Sequence, residues 1–143
     1  MATRANGLRN PFAAGIRGLI AITTGGVNPG LTLAAVTLEG AIKLELSRPG
    51  SGRIYGRHQA SAPGDPPAPD TGTLRASIGH EQTGDTVRVG SSLAQAGTLE
   101  FGTVRAGRGR RTVIEPRPFM RPALARVRGQ LTADVAGELR TRR

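Results

Sequence analysis

The chain has no cysteine and no tryptophan in 143 residues. Without cysteine, disulfides, Cys-based zinc sites and thiol nucleophiles are excluded, and the redox compartment leaves no trace. Aromatic residues are scarce: Phe12, Tyr55, Phe101 and Phe119 make up 3% of the chain. Aromatics supply the largest buried areas, so the core must be built from Leu, Ile, Val and Ala. No run of about 18 apolar residues exists, so no membrane span is expected. The stretch "FAAGIRGLIAI" has the look of a signal-peptide core, but Arg17 interrupts it and no small-residue cleavage site follows, so secretion is not expected. Lysine is nearly missing too. Of twenty basic residues nineteen are Arg, and only Lys43 is Lys. A GC-rich coding sequence produces that bias; in functional terms, Arg forks suit phosphate or carboxylate partners.

Glycine (21) and proline (10) are plentiful, and the formal net charge is +10. Half of such a chain could not bury a good core, so one domain over residues 31–143 is expected, preceded by an arm of residues 1–30. A core poor in aromatics and a Gly/Pro-rich backbone favour a protein finished by association with copies of itself or with partners. The charge is uneven. Residues 61–85 hold four acids against one Arg, whereas every other region is net basic.

Asn10-Pro11 is a helix-start signal, and Phe12, Ile16, Leu19, Ile20 and Thr23 fall on one helical face. A short amphipathic helix ended by Gly25-Gly26 is expected, packing on the domain or reaching a neighbour rather than lying on a membrane. After Asn28-Pro29, the residues Leu31, Ala35, Leu38, Ile42 and Leu46 recur at helical steps, and Pro49 with Gly50-Ser51-Gly52 ends that helix near Ser47. Residues 60–71 hold four of the prolines. They read as a stiff extended segment, and Thr71 or Thr73 then caps a short helix through Leu74 and Ile78. "DTVRVGS" alternates Val87 and Val89 with polar residues and predicts a strand. "LAQAGTLEFGT" fits no single element. Two short strands, Thr103–Arg105 and Arg111–Glu115, flank a Gly/Arg tip. Leu124, Val127, Leu131, Val135 and Leu139 mark a final amphipathic helix. Pro116, Pro118 and Pro122 set the angle of its approach, and Pro122 fits only in the first helical turn. The order predicts an α+β domain: a small, mostly antiparallel sheet packed against two long helices, with an extended Pro-rich loop.

No active site assembles from these residues. The only lysine lies inside a helix, which excludes a P-loop, and no G-x-S-x-G elbow is present. His58 and His80 are isolated, without metal-ligand spacing. Asp65, Asp70, Glu81 and Asp85 read as turn formers and caps in a Pro/Gly-rich setting. Neither a cofactor nor a metal site is predicted, and an enzyme is the least favoured reading. Arg105, Arg108, Arg110 and Arg111 form the best candidate contact with DNA or an acidic partner; the plain alternative is a solvated hairpin tip. No aromatic lies within the tip to stack a base and no recognition-helix pattern accompanies it, so only non-specific contact with a DNA backbone is expected.

The segments "YGRHQASAPGDPPAPDTGTLRASI", "VRVGSSLAQAGTLEFGT" and "PRPFMRPAL" carry a resemblance. Five features occur in order over residues 31–140: an N-terminal helix, a Ser-Ala-Pro-Gly-x-Pro-Pro loop, a Thr-Gly-x-Leu-x-x-Ser-Ile helix start, Leu-Glu-Phe-Gly-Thr, and Arg-Pro-Phe before the last helix. Together they resemble the small neck or tail-completion proteins of long-tailed bacteriophages. Residues 1–30 and the Arg-rich tip fall outside the match. The resemblance implies a non-enzymatic virion component, made in the host cytoplasm, that forms a ring between portal and tail tube beside other neck proteins. A tail terminator ring is the close alternative, and a non-specific DNA-binding protein the alternative of another class. A Pro-rich segment offers a partner a surface at low ordering entropy. Ser61, Pro63, Asp65, Pro66, Pro67 and Asp70 are therefore the expected subunit interface. A channel lined densely with Arg would hold DNA that must leave it, so the Arg tip is expected to face acidic neighbours.

Overall fold

The computed structural model describes residues 20–23 and 29–141. In chain order these form β1 (Ile20–Thr23), α1 (Gly30–Glu45), β2 (Ile54–Tyr55), β3 (His58–Gln59), α2 (Thr73–Ala76), β4 (Ile78–Thr83), β5 (Thr86–Ser91), α3 (Gln95–Phe101), β6 (Thr103–Ala106), β7 (Thr112–Ile114) and α4 (Met120–Thr141). The protein is α+β, with four helices and small antiparallel sheets among the described residues. Where one sheet was expected there are three: β1-β5-β4, and the separate hairpins β2-β3 and β6-β7.

The helix predicted over residues 12–23 is corrected at its end. Ile20–Thr23 is a strand, paired antiparallel with β5 from Ile20↔Val89 to Thr23↔Thr86. "IAIT" is short and β-branched at three of four positions, which suits a strand beside a free sheet edge better than a helical turn. The rest of that predicted helix and of the arm lies outside the described residues. On its other side β5 pairs with β4, from Ile78↔Ser91 to Thr83↔Thr86, across the two-residue turn Gly84-Asp85. Ile78 therefore opens a strand rather than closing a helix. The short helix before it has Gly72 as its N-cap residue; one residue earlier, the Thr71 hydroxyl accepts the Thr73 N–H at 3.4 Å and shares a 2.7 Å hydrogen bond with the Thr73 hydroxyl.

The core sits where α1 meets both the β4-β5 pair and α4. Leu31, Ala34, Ala35, Leu38 and Ile42 are fully buried, as the helical spacing requires. Val87 and Val89 face them from β5, with Arg88 between them turned to solvent, the alternation of a sheet with one covered face. From α4 the deepest residues are Met120 and Ala123, preceded by Phe119. Of the stripe read from sequence, Leu131 is buried and Leu124, Val127 and Val135 are half-buried at its margin, while the side chain of Leu139 lies outside the described residues. The contact is thus closest at the start of α4. A buried carboxylate tightens it further along: Glu45 of α1 pairs with Arg126 of α4, and with Arg48 at 3.3 Å. The Thr37 hydroxyl bonds Asp134 at 3.0 Å.

Candidate functional site

Residues 60–72 contain neither helix nor strand, yet the first half of the segment is tied down. The Ala60 N–H donates to Arg53 O and the Gly52 N–H to Ala60 O. The Ser51 hydroxyl accepts from the Ala62 N–H at 3.1 Å and donates to the Asp65 carboxylate at 2.5 Å. The Gly64 N–H donates to Pro116 O at 3.1 Å, joining the segment to the chain that leads into α4. Prolines leave few donors to satisfy, so these few bonds suffice to position residues 60–65. Of the six residues expected at a subunit interface, Ser61 and Pro67 are turned into their own chain. Pro63, Asp65 and Asp70 are exposed and Pro66 is half-buried, so the outward surface of the segment is narrower than the sequence alone implies. Beneath it lies a cleft of about 220 Å³ between Pro67, Asp70, Arg75, Leu46, Gln95 and Leu99.

The structure brings the four candidate arginines together. Arg105 lies on β6, Arg108 and Arg110 in the turn, and Arg111 just before β7; all four are exposed. Among the described residues none of them is ion-paired. Arg110 takes a positive φ of 50°, and its N–H closes the turn onto Gly107 O.

Sequence reasoning missed the role of Glu100. "LAQAGTLEFGT" resolves into α3, and Glu100 near its end is 1% exposed. Its carboxylate accepts the backbone N–H groups of Phe119 (2.8 Å), Met120 (2.9 Å) and Arg121 (3.0 Å). The first turn of a helix leaves its N–H groups without partners, and the next residue, Pro122, has none to offer. One carboxylate and one proline therefore complete the start of α4. The Arg121 guanidinium reaches back to Oε1 (3.2 Å) and to the Glu100 carbonyl (3.1 Å), and lies over the Phe101 ring. The Leu-Glu-Phe-Gly-Thr and Arg-Pro-Phe motifs are two halves of one joint. The signal in the sequence was a lone Glu amid apolar residues, with nothing local to pair it.

The two histidines stay apart. His58 lies on β3, while His80 on β4 meets Glu39 of α1 at 2.6 Å, and Lys43 meets the same carboxylate at 2.5 Å. Burial pushes the Glu39 carboxyl up, but the hydrogen bonds and charges of Lys43 and His80 outweigh it and hold the group below its ordinary value. Among the described residues no cluster of His, Asp or Glu is placed to hold a metal ion, and no helix is long and apolar enough to cross a membrane. Asp65, Asp70, Glu81 and Asp85 lie on separate loops and strand positions rather than around one point. No family model, curated protein or solved structure matches the chain.

Proposed function

We propose that the chain is a non-enzymatic structural protein of the head-to-tail joint of a long-tailed bacteriophage virion, forming a ring around the DNA channel between portal and tail tube. The observation that carries this reading is the ordered set of five motifs over residues 31–140. Their mutual bonding supports treating them as one unit: Gly64 of the Pro-rich motif bonds Pro116, and Glu100 caps the helix that follows Arg-Pro-Phe. In this reading α1 and α4 are the two long helices over the sheet, and residues 60–71 are an extended strap whose outward side, Pro63, Asp65 and Asp70, meets a neighbouring subunit or ring. Portal-side and tail-tube proteins are its partners, and the tail terminator ring is the neighbouring role within the same class.

The test is an image of purified particles that locates the subunit. A ring of copies at the joint is expected; a chain absent from virions and found as a DNA-coating monomer overturns the reading. The unpaired Arg tip favours a second reading, non-specific binding to DNA. Tight binding of the purified chain to double-stranded DNA that weakens steeply with salt supports that reading, and weak binding supports the joint protein.

A further inference from the structure

We propose that the two isolated hairpins, β2-β3 and β6-β7, form one surface for a single strand of nucleic acid, with its phosphates on their arginines and a base against Tyr55. This extends the DNA-binding reading of the Arg tip and rests on it only for the tip's share of the charge.

Each hairpin is a two-stranded sheet by itself, a unit that is marginal in water without further support. The support is at the roots. A Cβ on Gly50 would run into Gln59 O, and one on Gly102 would meet Ile114 O at 2.7 Å and Pro116 at 2.9 Å. At both roots the chain therefore packs backbone against backbone. The roots also share a stem. The Ala62 N–H donates to the Ser51 hydroxyl just before β2, and the Gly64 N–H donates to Pro116 O, two residues beyond β7. Ala60, next to the end of β3, thus lies within about 17 Å of Pro116, four residues and one hydrogen bond away.

Both hairpins carry the same charge. The first bears Arg53 and Arg57, the second Arg105, Arg108, Arg110 and Arg111, and all six are exposed. Among the described residues none of the six is ion-paired. Residues 50–60 and 103–114 contain no acid. The nearest acids along the chain are Asp65, already bonded by Ser51, and Glu115 beyond β7. A folded protein surface intersperses the two signs. Six cations with no acid among them fit a polyanion instead, which offers a charge at every repeat. The planar guanidinium fork suits its phosphates.

Tyr55 narrows the polyanion to one with accessible bases. The register Tyr55↔His58 sets these two rings on the face of the ribbon that Arg53 also shares. The Arg53 guanidinium lies over the Tyr55 ring, 5.2 Å from its centre. Tyr55 is nonetheless 58% exposed, so a base can reach it. An exposed aromatic among arginines stacks a base while the neighbouring phosphates are held. The Arg tip has no aromatic of its own, and the adjoining hairpin supplies one. A duplex keeps its bases stacked on one another, and freeing one costs energy; there Tyr55 would be idle. A single strand uses the arginines and the ring together. Stacking accepts any base, so no sequence preference is expected.

Tyr55 is the only tyrosine and there is no tryptophan, so the native fluorescence of the chain reports on this one ring. The full chain is titrated with an oligothymidylate of about twenty nucleotides, long enough for both hairpins at roughly 3.4 Å per nucleotide. Quenching of the tyrosine emission is expected, after correction for absorbance, whereas a duplex of equal length should leave it unchanged. Affinities come from the anisotropy of end-labelled oligonucleotides, with every variant checked for native thermal unfolding. Tyr55→Leu should weaken the single strand about tenfold and leave the duplex as before. Arg108→Gln with Arg111→Gln should lower the salt slope for the single strand by about 1.4, at roughly 0.7 per lost phosphate contact. Arg53→Gln with Arg57→Gln should lower it equally. Single-strand binding indifferent to Tyr55, or a slope moved by one hairpin alone, overturns the proposal. Polyglutamate bound as tightly as the oligonucleotide does so too, and assigns the arginines to an acidic protein. Salt-sensitive duplex binding that depends on the tip alone sinks the shared surface and leaves the DNA-binding reading. Quenching by the single strand without duplex binding sinks that reading and leaves the surface.

Discussion

Glu100 directs both carboxylate oxygens at the backbone that opens α4. A glutamine there has one acceptor oxygen for three N–H donors and turns an NH₂ toward the remainder. Glu100→Gln should therefore lower the unfolding free energy by about 3 kcal/mol, read from urea titrations; a loss near zero would mean that water serves the helix start equally well. Glu39 gives a prediction with a sign. Its carboxyl is held below the ordinary 4.5 because Lys43 and His80 outweigh the effect of burial. A depressed carboxyl stabilises the fold above its unfolded value, and that contribution fades as pH falls through the folded value. Glu39→Gln should melt lower than the native chain at neutral pH, and the gap should close as pH drops below 4.5; a gap that widens on acidification contradicts the assignment. Glu100 was not legible in sequence because its partners begin nineteen residues on; for Glu39, Lys43 stands four residues on along the helix, but His80 is forty-one residues away.

Among the elements, those with a strong period were legible and those defined by a partner were not. The spacing from Leu31 to Leu46 gave α1, and Val87 and Val89 gave β5. β4 was hidden because "IGHEQT" has no alternation: its burial comes from Ile78 alone, and its place from pairing with β5. β1 was misread because three apolar residues in four fit either period, and the free edge of β5 decides between them. α1 and α4 also share a contact that no pattern displays, the buried Glu45 with Arg126. Removing one member of such a pair leaves a charge stranded, whereas replacing both by apolar groups is often neutral. Arg126→Ala should cost about 2 kcal/mol, less than the usual roughly 3–5 because Arg48 still faces Glu45. Glu45→Met combined with Arg126→Leu should recover most of that in thermal or urea unfolding. A double variant as unstable as the single one would show that the pair itself, not the stranded charge, matters.

For the molecule as a whole, the α+β class could be read from element order, but the surfaces could not. The Arg tip was visible as a charge cluster, while the exposed Leu33, Val36 and Leu44 of α1 were masked by the equally apolar buried face. Exposure separates the two, and exposure exists only once α4 and the sheet have taken the inner side. That same arrangement sets an order of events for the newly made chain. The Thr37–Asp134 bond spans 97 residues, and the first long helix has no complete core until Phe119, Met120 and Ala123 arrive. Contacts so distant in sequence must wait for loop closure and slow the search for the native state. During synthesis α1 leaves the ribosome early with its inner apolar face bare. Until α4 is made, that helix is a natural client for a chaperone.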